Sequence, residues 1–182
     1  MKKILIAYFS HGGENLIENK IVDIGPEGNT SKVSKALKAN LMSRYGIEAD
    51  LFEIKEKDEY SFSYKETAVR AQQEKSLDAR PAIIDGPVNF AEYDVIFLGY
   101  PNWWGTCPQP VLTFTSTHSF EGKTLVPFVT HGGQIFLYSI DDIKATLDGG
   151  KVIKGFAVSA SYLDKAEDTV KSWLDKNQSI IG

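Results

Sequence analysis

The chain is expected to fold as an α/β protein, a three-layer, doubly wound arrangement of five parallel strands with helices on both faces. Three observations predict it. Short apolar runs alternate with amphipathic stretches along the whole length, as βα units require. The runs are continuously apolar or β-branched, as strands covered on both faces must be. The 182 residues, 42% hydrophobic and 24% charged, suit a single domain spanning 1–182 with a sizeable core.

The strands are expected at Ile4–Phe9, Ala49–Ile54, Val95–Tyr100, Leu125–Thr130 and Val152–Ser159. Between the first two, Val33, Ala36, Leu37, Leu41, Met42 and Tyr45 recur at helical spacing and stop before Gly46, a helix with a glycine end. Pro110 suits the first position of a helix whose inward face is Val111 and Phe114. A later helix starts near Ser139, whose hydroxyl can cap it while Asp141 and Asp142 favour its positive end. The last runs from about Asp164 to Asn177 on a stripe of Ala166, Val170, Trp173 and Leu174, followed by a Ser-Ile-Ile-Gly tail with no evident role. Two stretches break the alternation. Ser10–Gly28 is long and polar for a strand-to-helix connection, and its Lys20–Ile24 alternation suggests a small hairpin. Lys55–Phe90 is highly charged, with Ser63 and Glu66 at capping-box spacing before a surface helix of roughly ten residues.

A formal net charge of −4 provides no strong basic field, so nucleic acid is not an expected partner. Met1-Lys2-Lys3 before Ile4–Phe9 has the look of a signal-peptide start, but the apolar run is short and lacks a cleavage site. No stretch approaches a membrane span, and Cys107, the single cysteine, has no disulfide partner within the chain. A cytoplasmic location without membrane partners is the expectation. Three histidines and one cysteine supply no metal-ligand set. Cys107 reads better as a small buried hydrophobe than as a reactive thiol.

In an open parallel sheet the ligand crevice lies beyond the carboxyl ends of the strands, which directs attention to three loops. The first ends in Gly28-Asn29-Thr30-Ser31 just before a helix, offering hydroxyls and unobstructed N–H groups at a positive helix terminus. That suits a phosphate, although ordinary capping favours the same residues. Neither GxxxxGK[ST] nor GxGxxG occurs, which points away from nucleoside triphosphates and dinucleotides and towards a monophosphate. The second loop, Pro101-Asn102-Trp103-Trp104-Gly105, sets two indoles directly after a buried strand, where they can stack on a flat ring or pack into core or interface. The third, Thr130-His131-Gly132-Gly133-Gln134, offers glycine amides beside polar side chains. His131 there can donate to a ring carbonyl or be a plain loop histidine, and no residue is assigned catalysis.

Together these loops resemble the flavodoxin superfamily, in a branch with Tyr-Phe-Ser after the first strand, a delayed Gly-Asn-Thr, Tyr-Pro-x-Trp-Trp-Gly and Thr-His-Gly-Gly. The resemblance spans nearly the whole chain. It implies strand order 2-1-3-4-5 and one FMN, with Ser10, Asn29, Thr30 and Ser31 around the phosphate. Pro101, Asn102, Trp103, Trp104, Gly105, Thr130, His131, Gly132 and Gly133 would surround the isoalloxazine, one of the tryptophans stacking on it. In the better-known carriers the phosphate loop is continuous, whereas here an insertion separates Ser10 from Gly28. Their third-loop aromatic is also missing, leaving one ring face open or covered by residues 134–138. The implied function is electron transfer to redox partner proteins or a small acceptor. The competing reading is an NAD(P)H-dependent FMN oxidoreductase or quinone reductase, for which no nicotinamide motif is readable. A signalling receiver would need acidic residues where Ser10 and Tyr100 stand.

Overall fold

A computed structural model describes residues 2–133 and 135–182; Met1 and Gln134 lie outside the described residues. The central sheet contains β1 (Ile4–Tyr8), β4 (Ala49–Glu53), β5 (Val95–Pro101), β6 (Thr124–His131), β7 (Lys151–Val152) and β8 (Phe156–Ser159). Its order is β4-β1-β5-β6, with β7 and then β8 both pairing on the far side of β6, and every pairing is parallel. This is the order 2-1-3-4-5, with the last strand in two pieces.

The helices are α1 (Asn29–Tyr45), α2 (Tyr64–Ser76), α3 (Gln109–Thr117), α4 (Ser139–Thr146), α5 (Ala166–Lys176) and a final turn, α6 (Gln178–Ile181). Successive strand residues point to opposite faces, and the core divides accordingly. Ile4, Ile6, Phe97, Val126 and Phe128 pack with Val33, Leu37 and Leu41 of α1 and Val170 and Leu174 of α5. Leu5, Ala7, Ile96, Leu98 and Leu125 pack on the other face with Val111 and Phe114 of α3 and Ile143 of α4.

The Val152–Ser159 run is not one strand. Leu125 pairs with Val152 and Phe128 with Phe156, so three residues, 153–155, stand opposite the two between. Pro127 lies in that interval and has no N–H for the ladder, and the geometry is that of a bulge carrying one extra residue. A Cβ on Gly155 would run into the Pro127 carbonyl oxygen, so the close crossing there needs glycine.

Other departures are local. β4 is buried at Ala49 but exposed at Asp50 and Leu51, because it is a sheet margin rather than an interior strand. The Ser139 hydroxyl does not cap α4; Tyr138 is the N-cap residue, and Ser139 Oγ donates to the Phe136 carbonyl and bonds the buried Tyr100 hydroxyl at 3.1 Å. Ser63 is the N-cap of α2 without a side-chain cap bond, so the capping box does not form. A 3-10 segment, Ala160–Lys165, precedes α5. The tail has a role after all: Ile181 is buried in the α1/α5 core, and the Lys2 ammonium donates to the Ser179 and Ile180 carbonyls at 3.0 and 2.9 Å.

Candidate functional site

The insertion after β1 folds out as an antiparallel hairpin, β2 (Glu14–Ile17) and β3 (Lys20–Asp23), turned by Glu18 and Asn19, both at positive φ. Positive φ at both turn residues is the type I′ geometry that matches strand twist. Its base closes on itself, Gly13 N–H donating to Gly25 O at 2.8 Å and Ile24 N–H to Gly13 O at 3.0 Å. The chain therefore returns to where it left the sheet. Ser10 Oγ accepts from the Ser31 N–H at 3.0 Å, the position an N-cap side chain would fill, while the true N-cap, Gly28, has none. Gly28 must be glycine at this point, since a Cβ would meet both the His11 carbonyl and Ser10 Oγ. The Asn29 and Thr30 N–H groups make no hydrogen bond among the described residues, as expected of the first helical turn. Thr30 Oγ1 and Thr130 Oγ1 share a hydrogen bond at 2.8 Å, joining the start of α1 to the end of β6.

After β5, Trp103 and Thr106 exchange backbone hydrogen bonds at 2.9 and 3.1 Å around Trp104 (φ 53) and Gly105 (φ 82). This is a second two-residue turn of the primed kind, with tryptophan where the left-handed backbone disfavours a side chain by about 1–2 kcal/mol. The turn is held in place from α2: Trp104 Nε1 donates to the Ala68 carbonyl at 3.0 Å, and Lys75 Nζ donates to the Trp104 carbonyl at 2.5 Å. Asn102 braces it from within, accepting from the Gly105 N–H at 3.1 Å and donating to the Ile135 carbonyl. Trp103 is half-buried and stands nearly perpendicular to Phe9, His11 and Tyr60, with ring centroids 5.1–5.6 Å away. Trp104 remains 47% exposed.

These segments enclose a pocket of about 460 Å3, within the range of small-molecule sites. Asn29 and Thr30 line one part, Pro101, Asn102, Trp103 and Trp104 another, and Thr130, His131, Gly132 and Gly133 a third. Ser10 and Ser31 stand behind the lining, the Ser31 hydroxyl turned to Glu27 at 3.0 Å. Gly105 lies outside it too, as do residues 135–138; Gln134 is not among the described residues. Two further walls complete the pocket. Glu14 to Asn19 of the hairpin form one, close enough that a Cβ on Gly132 would lie 2.9 Å from the Leu16 carbonyl. Tyr64, Thr67, Ala68 and Ala71, one face of α2, form the other. The helix was expected, but its pocket face, spaced i, i+3, i+4, i+7, is too polar to stand out in the sequence.

Burial sets the titration of the site. Desolvation holds His11 and His131 below the usual histidine range. His131 Nδ1 accepts from the Gly133 N–H at 3.2 Å. Burial raises the Tyr60 phenol, and its hydrogen bond to Glu74 raises it further. Glu74 is also paired with Arg70 at 2.8 Å. Cys107 is fully enclosed and its thiol is pushed up to about 12, which leaves no reactive thiolate.

The sequence model of the family described as flavodoxin matches residues 20–177. The chain belongs to the flavodoxin family. Among solved structures it is similar to a candidate flavoprotein of Bacteroides eggerthii, with 28% identity, 97% of this chain and 98% of the other covered, and a TM-score of 0.70. A flavoprotein of Lactobacillus acidophilus in complex with FMN shares 21% identity over 95% of this chain and 99% of its own, with a TM-score of 0.65. A Fusobacterium nucleatum flavodoxin bound to flavin mononucleotide shares 13% over 98% of each chain, with a TM-score of 0.54. The last two likenesses are of fold. No curated protein matches the chain significantly. The flavodoxin fold explains the pocket's place, beyond the carboxyl ends of β1, β5 and β6 at the switch in strand order.

Proposed function

We propose that the chain binds one FMN in this pocket and carries electrons in the cytoplasm between redox partner proteins or to a small acceptor. The observation that carries the reading is the convergence, in one pocket, of a helix start whose Asn29 and Thr30 N–H groups are free among the described residues with two indoles. Membership of the flavodoxin family and the FMN of the Lactobacillus and Fusobacterium structures support it. The residues present fit the group. Free Asn29 and Thr30 N–H groups suit a phosphate, and the exposed Trp104 indole suits a flat ring.

When bound, FMN supplies reversible one- and two-electron chemistry. The chain's own residues do the rest. The opening turn of α1 and the Thr30–Thr130 hydroxyl pair hold the phosphate. Trp104 stacks on the ring, oriented by its bond to Ala68, and Trp103 is the packed edge of that wall. Leu16, Ile17, Ala68 and Ala71 keep water from the interior of the pocket. No side chain is required to move a proton in a carrier. A second reading, an NAD(P)H-dependent FMN oxidoreductase or quinone reductase, is favoured by the extra walls that the hairpin and α2 add.

The test is a visible spectrum of the protein titrated with FMN and then with NADPH, without oxygen. Bound flavin that resists NADPH supports the carrier, rapid bleaching supports the oxidoreductase, and absence of binding removes both. Thr30→Ala should weaken FMN binding by about 1–2 kcal/mol, since it deletes a hydroxyl beside a charged acceptor; unchanged affinity would take Thr30 out of the site.

A further inference from the structure

The hairpin and α2 line the pocket as separate walls, yet they are bonded to each other. The Glu14 N–H donates to the Phe62 carbonyl at 2.8 Å, and the Glu14 carboxylate accepts from the Tyr64 N–H at 2.9 Å. Tyr64 is the first residue of α2. The opening N–H groups of a helix need acceptors from outside it, and the N-cap residue, Ser63, offers none from its side chain. Glu14 fills that place from 50 positions away, with a charge of the sign that a helix start favours. The approach is close: a Cβ on Gly13 would lie 2.7 Å from Phe62, and Gly13 itself has φ 71, so the contact needs glycine on both counts.

The start of α2 in turn holds an indole. Trp104 Nε1 donates to the Ala68 carbonyl at 3.0 Å, and Ala68 follows Tyr64 by one helical turn, so its own amide is bonded to the Tyr64 carbonyl. Fraying of the first turn would release the peptide that orients Trp104. The far end of the helix is secured separately. Glu74 bonds Tyr60 and Arg70, and Lys75 reaches the Trp104 carbonyl. At the near end stand Glu14 and the Thr67 hydroxyl, which donates to the Ser61 carbonyl at 2.6 Å.

We propose that Glu14 is a positioning residue for the flavin ring: by capping α2 from the hairpin it fixes the Ala68 carbonyl, and through it the Trp104 indole that stacks on the ring. The inference rests on the FMN reading of the pocket and on Trp104 as the stacking residue. It gives the excursion after β1 a second purpose, since the hairpin then supplies the cap that the sequence of α2 lacks. The role belongs to a side-chain oxygen as an acceptor. Gln keeps such an oxygen at the same reach and should serve, whereas Ala should not. α2 buries only Thr67 and Ala71, so loosening its start alters the pocket wall far more than the stability of the sheet.

The experiment compares Glu14→Ala and Glu14→Gln with the native chain, using Glu66→Gln as a control that removes a first-turn carboxylate outside the pocket lining. In the free protein, Glu14→Ala should speed hydrogen exchange of the Tyr64 and Ala68 amides about fivefold, as loss of a helix cap does, with the urea midpoint nearly unmoved. With saturating FMN it should raise the residual fluorescence of the bound flavin and shift its reduction potential. Glu14→Gln should restore native behaviour, and Glu66→Gln should leave both flavin readouts unchanged. Unaltered amide exchange in Glu14→Ala would mean that the cap does not form in solution. Faster exchange with unaltered fluorescence and potential would leave Glu14 a structural residue only, and tighter FMN binding in both Ala and Gln variants would show its charge acting on the ligand instead. Each of these overturns the proposal while FMN binding stands. If Trp104→Leu leaves bound-flavin fluorescence as it is, the stacking assignment fails and the inference with it; if the native chain binds no FMN, the reading of the pocket fails as well.

Discussion

Gly28 shows how a single missing side chain shapes the site. The chain leaves β1 at Ser10, makes its excursion and comes back so closely that the His11 carbonyl and Ser10 Oγ fill the space a Cβ would need. Gly28→Ala should therefore destabilise the fold by about 1–3 kcal/mol, read as a lower urea midpoint, and should weaken FMN binding in parallel. An unchanged midpoint would mean that the excursion does not seat against the helix. Residues were legible in the sequence where composition clustered: Gly-Asn-Thr, the paired tryptophans and Thr-His-Gly-Gly do meet at one pocket. What composition cannot show is a bond such as Ser31 N–H to Ser10 Oγ, across 21 positions. Nor can it show how a side chain is used. Asn102, expected near a ligand, spends its amide bracing the Trp104 turn.

Among elements, burial decided what could be foreseen. β1, β5 and β6 lie wholly or almost wholly in the core, and their apolar runs announce them. α2 buries only Thr67 and Ala71, and its pattern carries little signal although it supports Trp104. The break between β7 and β8 was hidden because its cause, Pro127, sits on a different strand. The C-terminal turn makes the opposite case, a short segment whose single apolar anchor matters. Ile181 is 1% exposed among α1 and α5 residues, so Ile181→Ala should cost about 2–4 kcal/mol. Thermal or urea unfolding would show it, and a loss under about 0.5 kcal/mol would mean that the tail is frayed in solution.

For the whole molecule, the sheet and the pocket walls are separable. The hairpin is largely exposed, and the Gly13–Ile24 hydrogen bond at 3.0 Å brings the two ends of its excision together. Replacing residues 14–23 by one or two glycines should leave the unfolding transition nearly unchanged while FMN affinity falls about tenfold or more, through lost pocket wall. If the fold collapsed, the hairpin would have to count as part of the core instead. The overall order of the sheet was legible because parallel strands with alternating helices admit few connections; the hairpin and α2 were legible as local patterns, but not the way both fold back onto the pocket, because they contribute little to that core. The bulge at 153–155 has a consequence for company as well as for shape. An unpaired strand margin invites another chain to add on, and here the β7/β8 margin offers two residues, a kink and then four. Of the two margins of the central sheet, β4, with five consecutive residues, is the unbroken rail for a stray strand, and there Asp50 and Glu53 supply the charge that discourages it.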